Sequence, residues 1–209
     1  MLFAYTENSR IENVTASNNW CGIHLDDSSD NALASNTVSN NDNGICLYSS
    51  SNNALESNTA SNSDNGICLY SSSNNNLIYN NYLNNTANAY DCGNNQWDSG
   101  TVGNYWSDYR EKYPDAEELN ESEIWDTPYD IPGSAGAQDR FPLMQPWTAT
   151  SLKGDLNSDG YITPADAAIA LRIAATGAQN PAADMNDDGT VTSLDALMIL
   201  QAAAGNIEL

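Results

Sequence analysis

The chain has 209 residues, and 28 acidic side chains against 6 Lys and Arg give a formal net charge of -22. Six cations spread over this length cannot build the basic face that phosphate recognition requires, which excludes nucleic acid and disfavours a bare anionic membrane surface. The opening MLFAYTENSR has neither a cationic start nor a long apolar run, so it reads as neither a secretory signal nor a membrane span, and no membrane insertion is expected.

Residues 1–95 are polar through Asn and Ser more than through charge, with nine acids and one base. Within them DNGICLYSSSNN at 42–53 recurs unchanged at 64–75, an offset of 22 residues. The offset aligns Gly22, Gly44 and Gly66; Ile23, Ile45 and Ile67; Leu25, Leu47 and Leu69; and Leu33, Leu55 and Leu77. A further copy carries Asn88 and Ala89 where the others have Gly and Ile. Each unit reads as a period-two strand, a Ser/Asn turn, one more short apolar strand and a second Asn-rich turn. Short strands at a fixed spacing with no helical periodicity predict the coils of a parallel β-helix, with Ile and Leu stacked inside. Asn36, Asn58 and Asn80 are expected to stack at the turns, where Asn tolerates left-handed backbone and passes amide hydrogen bonds between coils.

The same register places His24, Cys46, Cys68 and Tyr90 in one column, expected to face outward because Ile and Leu on either side face inward. A His and two thiols in a row have the donor types of a copper or zinc site. Duplication of one cysteine explains the pair equally, and the sequence leaves Cys46 and Cys68 free, cross-linked or metal-bound. For catalysis on sugars the one acidic group near a His is Asp26, Asp27 and Asp30 beside His24, present in a single coil without a nearby cation. Tyr48 and Tyr70 with Asn neighbours suit a sugar-binding face better, although such rings also serve as ladder packing.

These repeats resemble the right-handed parallel β-helix proteins of the NosD-like and carbohydrate-active type, especially archaeal surface proteins. The resemblance implies an all-β solenoid over 1–99 and a C-terminal extension over 100–147, carried by GNYWSDY, DTPYDIPG and DRFPLMQPW. The extension is expected to cap the open end of the coils, with EKYPDAEELNESEIWD as an exposed acidic loop or short helix. No comparable cap precedes the first coil, so a longer parent chain is expected.

After a linker at 148–153 the composition shifts to Ala, Leu, Ile and Asp. Residues 155–166 read DLNSDGYITPAD and residues 184–195 read DMNDDGTVTSLD. Both have oxygen side chains at loop positions 1, 3, 5 and 12 and Gly at 6, the array a hard cation such as calcium needs. The ligands assigned are Asp155, Asn157, Asp159, Asp166 and the carbonyl of Tyr161 in the first loop. Those of the second are Asp184, Asn186, Asp188, Asp195 and the carbonyl of Thr190, which makes two calcium ions. Each loop runs into an amphipathic helix ended by Gly177 or Gly205.

Residues 154–209 closely resemble a type I dockerin, an all-α calcium-binding module that docks onto a cohesin. By that resemblance the partner surface involves Pro164 and Ala165 in one half and Ser193 and Leu194 in the other, with the helices that follow. So small a core implies that the metal supplies much of the folding energy. The resulting reading is a non-catalytic extracellular or cell-surface protein: calcium-dependent docking to a cohesin at one end, a β-helix face for carbohydrate or envelope components at the other. The alternatives are a polysaccharide lyase or glycosidase delivered by the dockerin, and a copper-handling protein of NosD type.

Overall fold

The structure, a computed structural model, describes residues 1–70, 72–120, 122–146, 153–156, 162–178 and 180–207. The chain divides into two compact units, Met1–Trp147 and Thr148–Leu209.

The first unit is a parallel β-solenoid of about five turns. One face stacks β1 (Leu2–Ala4), β4 (Cys21–Asp26), β7 (Asn43–Tyr48), β10 (Asn65–Tyr70) and β13 (Ala87–Asp91). A second stacks β2 (Arg10–Glu12), β5 (Ala32–Ala34), β8 (Ala54–Glu56) and β11 (Leu77–Tyr79). The third holds β3 (Thr15–Ser17), β6 (Thr37–Ser39), β9 (Thr59–Ser61), β12 (Tyr82–Asn84) and β14 (Tyr105–Trp106). Every adjacent pair in these faces is parallel, and the inward Ile, Leu and Val side chains merge into one core.

The chain turns its corners on residues in the left-handed region, which recur in columns: Asn8, Asp30, Asn52 and Asn75; Asn13, Ser35, Ser57 and Asn80; Asn18, Asn40 and Asn62. Asn and Asp enter that region more readily than other side chains with a Cβ, which is why the repeat is rich in them. Gly22, Gly44 and Gly66 answer a different demand. A Cβ on Gly44 would stand 2.6 Å from the Gly66 carbonyl and 3.2 Å from Val38 Cγ2. Because the obstacle is the backbone of the next coil, Gly44→Ala is expected to destabilise the solenoid by about 1–3 kcal/mol. Chemical denaturation followed by tryptophan fluorescence reads this directly.

The repeat departs from 22 residues at the turn between β10 and β11, and two sequence expectations shift with it. The turn between β10 and β11 is one residue longer than that between β7 and β8, so Leu55 pairs with Ile78. Ile78, not Leu77, is the core residue there, and Leu77 is half-buried. For the same reason Asn80 leaves the amide column and Asn81 takes its place.

Two buried amide ladders result, Asn36–Asn58–Asn81–Asn104 and Asn31–Asn53–Asn76–Asn95. Asn58 shows how each member is satisfied. Its Oδ1 accepts from Asn36 N at 3.1 Å and Asn36 Nδ2 at 2.9 Å, while its Nδ2 donates to Leu33 O at 2.9 Å and Asn81 Oδ1 at 3.0 Å. All bonding capacity is used, so burial in the core carries no desolvation penalty for an unmade bond.

Each ladder ends on a buried aspartate that also holds a tryptophan. Asn104 N and Trp106 Nε1 donate to Asp139 Oδ2 at 2.6 and 2.8 Å. Asn95 Nδ2 and Trp97 Nε1 donate to Asp91 Oδ1 and Oδ2, both at 2.8 Å. The extension that supplies Asp139 closes the last coil: Asp91 N donates to Pro132 O, and Gly103 N and Leu143 N bond to Phe141 O and Asn104 O. It carries α1 (Tyr109–Lys112) and a hairpin of β15 (Tyr129–Asp130) and β16 (Gln138–Asp139). Tyr129 stacks on Trp106 with centroids 3.9 Å apart, and Trp125 stacks on Tyr109. The acidic stretch is thus not wholly exposed, since Trp125 at its end is buried and Arg110 lies over its ring.

In the second unit α2 (Pro164–Thr176) and α3 (Ser193–Ala203) pack through Ala167, Ala170, Ala196 and Ile199, with Met185 from the second loop. Pro164 at the helix start and left-handed Gly177 at its end fit the sequence signals.

Candidate functional site

The two halves of the second unit repeat one hydrogen-bond pattern. Asp166 Oδ1 accepts from Leu156 N at 2.8 Å, and its Oδ2 accepts from Thr163 N and Oγ1, both at 2.9 Å. Asp195 does the same with Met185 N at 2.8 Å and with Thr192 N and Oγ1 at 2.8 and 2.9 Å. Position 12 is therefore the capping-box residue of each helix as well as the last oxygen of each loop. In the second loop Asp184 accepts from Asp188 N and Gly189 N, folding the turn around its carboxylate. Gly189 has a φ of +84°, the sharp bend that the glycine was expected to allow. Burial alone would raise the pKa of Asp195, but the Thr192 and Met185 hydrogen bonds outweigh it and hold the carboxyl below its ordinary value.

Asn157, Asp159 and Tyr161 lie outside the described residues. Asp155 and Asp166 are buried, as are Asp184 and Asp195, while Asn186, Asp188 and Thr190 are exposed. Among the described residues no group of three or more His, Cys, Asp and Glu side chains is gathered as around a metal. The donor set of the second loop nonetheless fits a hard divalent cation: it is all oxygen, and among the described residues no cationic side chain pairs with the buried Asp184 or Asp195. Lys153 pairs instead with Asp187, at 2.5 Å. Pro164, Ala165, Ser193 and Leu194 all sit exposed on the first turns of their helices.

The outer face of the first sheet carries a ladder of rings. Trp20, His24, Tyr48, Tyr70 and Tyr90 follow one another with centroid separations of 5.9, 5.1, 4.7 and 5.6 Å. One expectation for this face needs correction, and the state of Cys46, left open by the sequence, is settled. Cys46 and Cys68 do not stand on an open surface; both are fully buried. Cys46 is bonded not to Cys68 but to Cys21, one coil earlier and 25 residues away. The repeat spacing hid this pair, because Cys21 occurs in one coil only and has Asn43 and Asn65 as its equivalents. Cys68 and Cys92 are free, and burial raises the Cys68 thiol. His24 packs between Trp20 and Tyr48, and burial lowers its pKa. Asp27 and Asp30 are left-handed corner residues facing solvent, which leaves half-buried Asp26 as the one acid of the three that acts on His24, tending to raise its pKa against burial.

The sequence model of the family described as periplasmic copper-binding protein (NosD) matches residues 1–111. The chain belongs to the NosD family. The type I dockerin domain matches residues 153–202, so this NosD-family chain carries a dockerin behind its solenoid. No curated protein and no solved structure matches it. Type I dockerins generally bind calcium and imply a cohesin partner, and both kinds of domain are typical of extracellular or periplasmic proteins. No described helix is long and apolar enough to cross a membrane. The copper in the family's description finds no fitting site in the His24, Cys46 and Cys68 column: Cys46 is committed to a disulfide and His24 is enclosed by rings.

Proposed function

We propose that this protein is a non-catalytic component of an extracellular or cell-surface assembly, attached through a calcium-loaded dockerin to a cohesin and presenting its solenoid to carbohydrate. In this reading the coils occupy 1–99, the cap 100–147, a linker 148–153 and the dockerin 154–209. Two calcium ions are held by Asp155, Asn157, Asp159, Tyr161 and Asp166, and by Asp184, Asn186, Asp188, Thr190 and Asp195.

The observation that carries the reading is the row Leu194, Leu197 and Leu200 along α3, each about half exposed at 52, 53 and 46%. Leucines at three-residue spacing on an open helix face form an apolar stripe of the kind that marks an interface. The equivalent positions on α2 are Ala165, Ala168 and Leu171, a poorer surface. Docking therefore runs chiefly through α3, with Ser193 and Leu194 at its start and Pro164 and Ala165 beside it.

The test is binding of the full chain to a panel of immobilised cohesin modules in calcium. Leu197→Asp is expected to weaken capture about a hundredfold, as for a central interface residue, and Ala168→Asp less than threefold. Equal losses in the two variants would refute docking through α3. Failure of every cohesin to bind would refute the docking function itself.

A further inference from the structure

A hollow of about 440 Å³ opens on the outer face where β10 and β13 meet the cap, lined by Asn65, Tyr70, Ala87, Tyr90, Cys92 and Pro132 among others. Two ladders stop there. Within the ring ladder Tyr48 and Tyr70 lie nearly parallel, 20° apart, so one face of each is spent on the other. Tyr90 is the last ring, 37% exposed, tilted 40° to Tyr70. The amide row Asn43–Asn65 ends alongside: Asn65 Nδ2 donates to Asn43 Oδ1 at 3.0 Å, and the next coil has Ala87 in register. Truncation to Ala makes the room, and Pro132 walls it from the cap.

We propose that this hollow is a binding subsite for a neutral pyranose unit of a glycan. The proposal rests on the carbohydrate-facing reading of the solenoid and gives that reading a place and a ligand class. A pyranose offers an apolar C–H face and a rim of hydroxyl donors and acceptors. The hollow offers the matching pair, an aromatic ring next to Pro132 for the C–H face and the Asn65 amide oxygen for a hydroxyl donor. No Lys or Arg lines it, and the chain carries a net charge of -22, so a uronate or sulfated sugar is rejected. The size lies within the range of small-ligand pockets.

The experiment is calorimetry on the full chain with xylohexaose, cellohexaose and mannohexaose as neutral probes and hexagalacturonate as the anionic one. At least one neutral probe is expected to bind and hexagalacturonate is not. Tyr90→Ala and Asn65→Ala should each weaken binding about tenfold, while Tyr48→Ala, inside the ladder, changes it less than twofold. A readout without substitution uses the exposed Cys92, the buried Cys68 serving as unreactive background. Saturating sugar should slow alkylation of Cys92 by a maleimide at least fivefold, and prior alkylation should abolish binding. Binding that survives both variants and Cys92 alkylation overturns the subsite while leaving a glycan-binding face elsewhere. Preference for hexagalacturonate overturns the neutral class. No binding of any neutral probe overturns both the subsite and the carbohydrate reading.

Discussion

Asp139→Ala is expected to destabilise the first unit by about 3–5 kcal/mol, because the side chain is the terminus on which a whole amide ladder and the cap converge. Its carboxylate accepts from Asn104 N, Asn104 Nδ2 and Trp106 Nε1 on one oxygen and from Phe141 N on the other. Alanine leaves those donors buried without acceptors and opens a void under the Trp106–Tyr129 stack. Asp139→Asn keeps one acceptor oxygen and the side-chain volume, and is expected to cost less than Asp139→Ala. Denaturant unfolding followed by tryptophan fluorescence reports on this unit, where Trp97, Trp106 and Trp125 are all buried. Loss of less than 1 kcal/mol in both variants would show that the cap does not depend on this carboxylate.

The same residue sets a pH dependence. Burial pushes the Asp139 carboxyl up to about 7, in spite of the hydrogen bonds from Asn104, Trp106 and Phe141. The folded state therefore binds a proton that the unfolded chain, with an Asp pKa near 3.9, has already released. The stabilisation is fully present below about pH 4 and is lost as pH rises through about 7. Stability of the first unit is expected to fall by about 3 kcal/mol between pH 5 and 8. The depressed carboxyls of Asp98 and Asp108 act in the opposite direction but titrate below this window. His24, lowered by burial, also opposes the trend, and repeating the titration in His24→Gln removes its part. A stability of the His24→Gln variant that rises from pH 5 to 8 would reverse the assignment.

What was legible in the sequence is what the repeat carries. Gly44, Ile45 and Leu47 recur unchanged in the next coil because stacking forces equivalent positions into one environment, and their pairing follows the offset of 22. What escaped depends on residues that occur once. The longer turn before β11 moves Ile78 and Asn81 into places that a strict offset gives to Leu77 and Asn80. Asp91 and Asp139 lie where the ladders end, and a terminus has no periodic partner. In sequence they are two acids among 28, and only burial under Trp97 and Trp106 distinguishes them. The Cys21–Cys46 bond escaped similarly, as a diagonal link between columns. In the second unit duplication again made the pattern readable, since Asp166 and Asp195 accept from equivalent sets of three donors. The asymmetry between Ala165, Ala168 and Leu194, Leu197 became meaningful only once the helices showed those positions facing outward.

Chelation of calcium is expected to melt α2 and α3 while leaving the solenoid folded. The second unit has a small core of Ala167, Ala170, Met185, Ala196 and Ile199, too little apolar burial to offset the chain entropy of its length. It also keeps Asp155, Asp166, Asp184 and Asp195 out of water, and their oxygens are of the type that a divalent cation would draw together. Metal binding and folding should thus be one equilibrium, with about 4 kcal/mol of stabilisation when calcium stands a thousandfold above its Kd. Because the first unit has only the four-residue α1 as helix among its described residues, helical circular dichroism of the full chain reports on the second unit. The expected result is loss of that signal in chelator, recovery with calcium and little recovery with equimolar magnesium, which demands a tighter octahedral shell. Asp184→Ala combined with Asp195→Ala should raise the calcium midpoint at least a hundredfold, since it removes the first and last oxygens of one loop and a helix cap together. Helicity indifferent to chelator would mean that the two helices stand without metal and that the loops are ordinary acidic turns.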